Sequence, residues 1–329
     1  MAAQDKPRVI LGLMTFGPPG TAEFGTRIES KDEFNKHLDT FQKRGYNEVD
    51  TARMYVNGLQ EGWTKEARWQ ERGLTLATKW YPRNPGDHAK AIVKEQFAKS
   101  ISELGTNKVD IFYLHAPDRS IPFSETLEAC NELYQAGHFK HLGLSNYASW
   151  EVAEICTTAN QRGWVKPTIY QAMYNAITRA IDDELIPCCR KFGLDIVVYN
   201  PLAGGVLSGK YKSTAAPTEG RFSNTAKAIG NMYRERYFKD ANFEALKLVE
   251  PVAEKHKLTL PQIALRWVVH HSKLNVKNGN DGIIIGVSSF QQLEQNLNHL
   301  EEGELPSDVV EALDQAWLVT KATCPLYWR

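Results

Sequence analysis

The sequence predicts an α/β chain folded as one (β/α)8 TIM barrel, and three observations predict it. Eight short apolar runs alternate with segments whose apolar positions recur at helical spacing. Such alternation gives a parallel sheet with crossover helices, and eight units over 329 residues favour closure into a barrel. Three consecutive runs then end in, or shortly precede, a reactive side chain: Asp50 and Tyr55, then Lys79, then His115. All four fall at the C-terminal edge of the sheet, where a barrel carries its chemistry.

The first strand is predicted over 8–14, followed by the turn Gly17-Pro18-Pro19-Gly20. Ser30-Lys31-Asp32-Glu33 reads as a capping box, and Phe34, His37, Leu38 and Phe41 follow on one helix face. Further strands are expected near 46–50, 74–79, 109–114, 140–145, 168–171, 195–199 and 282–286. Two stretches break the rhythm. From Pro201 to Tyr237 there is no long periodic pattern, only Gly204, Gly205, Gly209, Gly220, Gly230 and a basic set. That predicts a long loop after strand seven, of the kind that is usually functional or disordered. The second is the tail: Pro306-Ser307-Asp308 starts a helix through Trp317, and the aromatic, basic segment 324–329 is built to pack over the barrel mouth. There is no repeat, low-complexity tract or linker, so 1–329 reads as a single domain.

A formal net charge of +0 with 42% hydrophobic residues suits a soluble globular protein. It argues against nucleic acid or a membrane surface as partner, since no basic footprint shows. No apolar run approaches the roughly 20 residues that cross a bilayer. The polar start from Met1 to Arg8 lacks the apolar core of a signal peptide, which points to the cytoplasm. Cys130, Cys156, Cys188, Cys189 and Cys324 are scattered and lack Cys-x-x-Cys spacing, so reduced thiols are expected rather than disulfides or zinc. Cys188 and Cys189 read as the half-buried and buried sides of one helix.

The four reactive types make chemical sense together. A free tyrosine has a pKa near 10, too high for an efficient acid at neutral pH. An adjacent ammonium stabilises the phenolate and lowers that value, and a carboxylate keeps the buried ammonium charged. Tyr55 is then the general acid, Lys79 its electrostatic partner and Asp50 the anchor of Lys79, while a neutral His115 orients a carbonyl oxygen. Each alone reads more readily as a structural contact: a turn cap, a solvated cation, a core aromatic or a carbonyl-bound imidazole. Their joint placement after successive strands points to carbonyl reduction.

No Gly-x-Gly-x-x-Gly follows the first strand, so a Rossmann cofactor site is not expected. A barrel instead holds phosphate with the loops after its last strands and a helix N-terminus. Gly286, Ser288, Gln292 and Asn296, running from the last strand into a helix, suit that role, although plain N-capping explains them too. Lys210 and Arg221 in the glycine-rich stretch are further candidates for cofactor phosphate.

Asp50-Thr51-Ala52-x-x-Tyr55, Lys79, and the run Val109 to His115 resemble the aldo-keto reductase superfamily. Gly143-Leu144-Ser145-Asn146, Tyr170-Gln171, Tyr199-Asn200-Pro201-Leu202 and Gly286-Val287-Ser288-Ser289 follow in order, so the resemblance runs from Gly12 to Asn296. Gly12-Leu13-Met14-Thr15-Phe16-Gly17, Tyr170-Gln171-Ala172-Met173-Tyr174-Asn175 and the Tyr-Trp-Arg end resemble the aflatoxin-aldehyde/succinic-semialdehyde reductase branch, family 7.

The resemblance implies that Ser145, Asn146 and Gln171 hold a nicotinamide carboxamide and that Tyr199 stacks on its ring. It extends the cofactor set over Asn200, Pro201, Leu202 and Gly204. NADPH is the implied cofactor, although no basic residue lies between Gly286 and Asn296, unlike the commonest family pattern. The mouth would be lined by Met14, Trp80, Tyr233 and Trp328. By similarity to the branch, Tyr233, Arg236 and Arg329 contact the carboxylate or polar tail of a small carbonyl substrate, beside His115. Aromatic aldehydes, dicarbonyls and semialdehydes are the implied substrates. A homodimer is also implied, and no residue demonstrates it.

A regulatory nucleotide-binding barrel resembling potassium-channel β subunits remains the alternative. Against it stand the Tyr-Trp-Arg end and the short segment before the first strand. A metal-dependent barrel hydrolase or isomerase is disfavoured, because no His-x-His or His/Asp/Glu cluster occupies the strand ends.

Overall fold

The alternation of apolar runs becomes a closed ring of eight parallel strands in a computed structural model that describes residues 6–224, 227–277 and 279–329. The strands are β1 (Arg8–Gly12), β2 (Glu48–Asp50), β3 (Thr75–Trp80), β4 (Val109–Leu114), β5 (Phe139–Ser145), β6 (Pro167–Met173), β7 (Asp195–Tyr199) and β8 (Gly282–Gly286). Each pairs with the next, and β8 closes on β1 with Arg8 opposite Gly282 and Gly12 opposite Gly286. Each of the first six strands is followed by one helix: α1 (Lys31–Lys43), α2 (Gln60–Glu66), α3 (Lys90–Leu104), α4 (Phe123–Gln135), α5 (Ser149–Arg162) and α6 (Leu185–Phe192). Between β7 and β8 run α7 (Lys227–Tyr237), α8 (Asp240–Lys255) and α9 (Leu260–His270), and α10 (Phe290–Glu301) and α11 (Ser307–Thr320) follow β8.

Side chains alternate across a strand, and that period of two sorts the molecule. Ile10, Ala77, Ile111, Tyr113, Ile169, Val197 and Ile284 fill the barrel interior. Their neighbours Val9, Leu11, Leu76, Phe112, Leu144, Tyr170, Ile196 and Ile285 face out and join the larger core under the helices. Continued upward, the inward parity reaches Asp50, Lys79, His115, Ser145, Gln171, Tyr199 and Gly286 at the C-terminal ends. One residue of slip in any strand would turn its member outward. Gly143 is required by packing: a Cβ there would sit 2.2 Å from the ring of Tyr113, the aromatic floor beneath the mouth.

Four details differ from the sequence reading. β1 ends at Gly12, because the chain turns at once and the Leu13 N–H bonds the Asp50 carbonyl at 2.9 Å. Ser30 caps α1 by accepting from the Glu33 N–H at 3.4 Å, which is one half of the expected box. The tail helix runs from Ser307 to Thr320, beyond Trp317. The stretch after β7 holds a turn of 3-10 helix (Ala203–Ser208) and then α7. The buried face of α7 is Gly230, Tyr233 and Tyr237, a period carried by a glycine and two phenols that apolar counting misses. Cys189 is buried and Cys188 half-buried, as expected of one helix. Among the described residues, no helix is long and apolar enough to cross a membrane, and no cluster of side chains could hold a metal ion.

Candidate active site

At the mouth, Lys79 is fully buried and uses all three ammonium protons. One goes to the Asp50 carboxylate, one to the Thr51 carbonyl at 2.8 Å, and one to the Tyr55 hydroxyl oxygen at 3.2 Å. Because the phenol oxygen accepts from Lys79, its own proton is not spent on the ammonium. The other oxygen of Asp50 accepts from Gln171 Nε2 at 2.9 Å. The ring of His115 lies edge-on to Tyr55 with centroids 6.0 Å apart. The structure thus brings Asp50, Tyr55, Lys79 and His115 together.

Their protonation follows from burial. Burial pushes the Tyr55 phenol well above its ordinary value, Asp50 adds to the rise, and Arg221 opposes it. Burial therefore works against the lowering expected from Lys79, because it disfavours the charged phenolate. Burial lowers the Lys79 ammonium, and the touching Asp50 pulls it back up. His115 is driven well below its usual range by burial, then by Lys79 and Arg329, so its ring is neutral. Its Nδ1 is buried with no partner.

Beside the four, Asn146 Nδ2 donates to the His115 carbonyl at 2.7 Å and to Ser145 Oγ at 3.1 Å, and the Tyr199 hydroxyl donates to Asn146 Oδ1 at 3.2 Å. Asn146 sits at φ 62°, a left-handed conformation that asparagine tolerates. Asn200 accepts from the Tyr233 hydroxyl at 3.4 Å, and Pro201 and Leu202 lead into the turn at Gly204. A Cβ on Gly204 would lie 2.7 Å from the Tyr233 ring, so the turn packs directly on that phenol. Arg221 donates to the Tyr233 hydroxyl at 2.9 Å, Arg236 lies 5.7 Å from the same ring, and Lys210 is exposed.

At the end of β8, Gly286 faces open space, and both the N–H and the hydroxyl of Ser288 bond Gln292 Oε1 at 2.8 and 2.9 Å. Ser289 caps α10, and Asn296 is buried one turn beyond Gln292. Met14 is half-buried just past β1. Trp80 has the opposite parity to Lys79: its ring packs with the outer core and its indole N–H donates to the Asp87 carbonyl at 2.9 Å.

The tail is held firmly. The Arg329 N–H bonds the Asn146 carbonyl at 3.0 Å, and its guanidinium bonds the phenols of Tyr81 and Tyr199. Arg119 donates to the Arg329 carbonyl at 2.7 Å and stacks 5.4 Å from Trp328, while the buried Glu151 holds Arg119. Sequence reading missed Tyr81, Arg119 and Glu151, which only the fold brings together. It also missed Arg27, whose guanidinium is lowered by burial and by the neighbouring Arg221.

Residues 8–318 match the model of the aldo/keto reductase family. The chain belongs to the aldo/keto reductase family. An aldo-keto reductase of Pseudocercospora fijiensis (strain CIRAD86) is 45% identical over 298 residues, covering 88% of this chain and 99% of that protein. Aflatoxin B1 aldehyde reductase member 2 of Mus musculus is 44% identical over 321 residues, covering 94% and 86%. Aldo-keto reductase family 7 member A3 of Homo sapiens is 41% identical over 335 residues, covering 98% of each. This aldo/keto reductase is therefore an oxidoreductase that works with a nicotinamide cofactor, and family 7 is where its similarity lies.

Proposed function

We propose that this protein is an NADPH-dependent reductase of small aldehydes and ketones, with aromatic aldehydes, dicarbonyls and semialdehydes as its substrates. The observation that carries the reading is the Lys79 ammonium with its three acceptors, which leaves the Tyr55 proton aimed away from the cation. The residues at the mouth suit a nicotinamide. Ser145, Asn146 and Gln171 offer the hydroxyl and amide groups that match a carboxamide, Tyr199 offers a flat ring, and the bare Cα of Gly286 faces open space where a side chain would stand. When bound, the cofactor supplies a hydride from its C4 carbon.

The chain's own residues do the rest. Neutral His115 presents a ring N–H to the carbonyl oxygen and orients it, with no competing charge. Negative charge grows on that oxygen, and Tyr55 gives it a proton. A raised phenol pKa is no obstacle, because a developing alkoxide is far more basic than a phenolate. Lys79 stabilises the phenolate left behind, and Asp50 keeps Lys79 charged. Arg329, beside His115, is placed to take a substrate carboxylate through its planar fork. For the cofactor phosphates we assign Arg221, Lys210, Ser288 and the N-terminus of α10. A cation stands there from another element, since Lys36 on α1 lies 3.8 Å over the ring of Phe290. On the same footing we place the protein in the cytoplasm, as one domain over 1–329 and as a homodimer.

The test is NADPH binding by quenching of intrinsic fluorescence, with NADH alongside, and turnover of succinic semialdehyde and a nitrobenzaldehyde. The expected outcome is NADPH-selective binding in wild type and Tyr55→Phe alike, with turnover lower by roughly 10²–10⁴-fold in the variant. Turnover in Tyr55→Phe near the wild-type rate overturns the acid assignment. Tight binding without turnover in either protein moves the weight to the regulatory reading. No nucleotide binding overturns both.

A further inference from the structure

Behind Lys79 lies a second charged pair. Glu61, on α2, is fully buried, an expensive place for a carboxylate unless it is fully bonded. One oxygen accepts from Thr78 Oγ1 at 2.6 Å, and the other is paired with Arg53 Nη1. Thr78 is the residue immediately before Lys79 on β3. Arg53 in turn holds both ends of the turn that carries Tyr55. Its main-chain N–H bonds the Lys79 carbonyl at 3.0 Å, and its Nη2 bonds the Gly58 carbonyl at 3.0 Å.

That turn, Tyr55–Gly58, is strained. Val56 and Asn57 adopt φ 49° and 51°, left-handed values that a β-branched side chain resists. Gly58 has φ 89°, and a Cβ there would come within 2.8 Å of Arg53 Nη2, so the guanidinium approaches the bare backbone. Strain of this kind persists only where surrounding bonds over-determine it. Here the bonds are those of Arg53, and Glu61 is what fixes Arg53.

We propose that Glu61 and Arg53 form a positioning pair: Arg53 straps the Tyr55 turn in its left-handed conformation, and Glu61 both anchors that strap and sets a second negative charge behind Lys79. The inference rests on the reading of Tyr55 as the acid. The charged and titratable groups facing Lys79 are Asp50 on β2, Tyr55 on its turn, Glu61 on α2, and Tyr113 and His115 on and just after β4. Among them Glu61 acts in the same direction as Asp50, favouring the charged ammonium.

Glu61→Gln keeps the shape and the bond from Thr78 but removes the charge, whereas Arg53→Lys keeps a charge but loses the fork. Both are measured beside wild type and Tyr55→Phe for melting temperature, NADPH affinity, and kcat and KM against pH. For Glu61→Gln we expect NADPH affinity and KM within about threefold, and kcat lower by about tenfold or more. The alkaline limb of kcat moves to lower pH by about half a unit, because an ammonium deprived of a nearby carboxylate gives up its proton more easily. For Arg53→Lys, kcat falls with the limb unmoved.

A folded Glu61→Gln protein with kcat within about threefold of wild type and an unmoved limb overturns the proposal. So does a variant whose melting temperature, NADPH affinity and kcat all fall together while the limb stays in place. If Glu61→Gln does not fold, Arg53→Lys decides, and a kcat near wild type overturns the strap. A Tyr55→Phe protein that still turns over brings down the acid reading itself. A silent Tyr55→Phe beside an unimpaired Glu61→Gln brings down only the pair.

Discussion

The two ends of the barrel treat charge differently. At the N-terminal end every named charge is closed on an opposite charge or an N–H. Arg8 meets Glu48 with two bonds, at 2.9 and 2.7 Å. Asp281 is paired with Arg190 and also accepts from the main-chain N–H groups of Ile196 and Asn275, each at 2.7 Å. At the C-terminal end Lys79 and Asp50 are matched as closely, yet the groups around them are left with capacity. The Tyr55 proton is not spent on Lys79, His115 Nδ1 has no partner, and Arg27 and Arg221 crowd each other. Backbone strain gathers there too, with Val56, Asn146, Asn200 and Ala203 all left-handed. Charges that satisfy one another hold a fold together, and charges arranged around an open space are kept for something that enters it.

The sharpest way to break that comparison is to open the closed end. Asp281→Ala strips the partner from Arg190 and orphans the buried N–H of Ile196 and the partly buried N–H of Asn275. Removing one partner of such a network costs about 3–5 kcal/mol. Urea unfolding should show that loss, while kcat of the protein that remains folded stays at the wild-type value. A loss of kcat without a loss of stability would mean that the bottom of the barrel is not merely structural.

His88 probes the other end. It is fully buried between β3 and α3, and neither ring nitrogen has a partner. Burial pushes its pKa down to about 4, against the opposing pull of Asp118 and Asp87. The folded value thus lies below the unfolded one, so as the pH falls below about 6.5 the unfolded chain takes up a proton that the folded chain refuses. The His88 contribution is fully present above that pH and declines toward pH 4, by about 3 kcal/mol. On acidification the urea midpoint of wild type should therefore fall relative to that of His88→Leu. Parallel midpoints across that window would show that the ring is not the neutral buried group described here.

What was legible in the sequence divides along the same lines. The eight strands could be read because each is a short apolar run. Asp50, Lys79 and His115 stand out because a polar side chain at the end of such a run has one destination in a barrel. Glu61 and Arg53 could not be read: they are separated from Lys79 by a loop and a strand, and a glutamate on a short helix ordinarily faces water. Lys36 illustrates the same limit, since no basic residue lies between Gly286 and Asn296 and the nearby cation arrives from α1. The rise that burial imposes on the Tyr55 phenol was not legible, because spacing reports neighbours and says nothing of desolvation. Helix α7 was missed because its buried stripe is glycine and tyrosine.

The smallest effect separates two helix N-termini that share a hydroxyl cap. Ser289 caps α10 by accepting from the Gln292 N–H at 3.3 Å, and Thr259 caps α9 by accepting from the Gln262 N–H at 3.3 Å. Either cap changed to alanine should lower stability by about 1 kcal/mol. Only Ser289→Ala should also weaken NADPH binding, by roughly fivefold, because frayed N–H groups at the start of α10 no longer converge on a phosphate. Fluorescence titration of the two variants at one salt concentration makes the comparison. Equal affinities would remove α10 from the cofactor site and leave its cap an ordinary one, and phosphate recognition would then fall to the arginines around Tyr233.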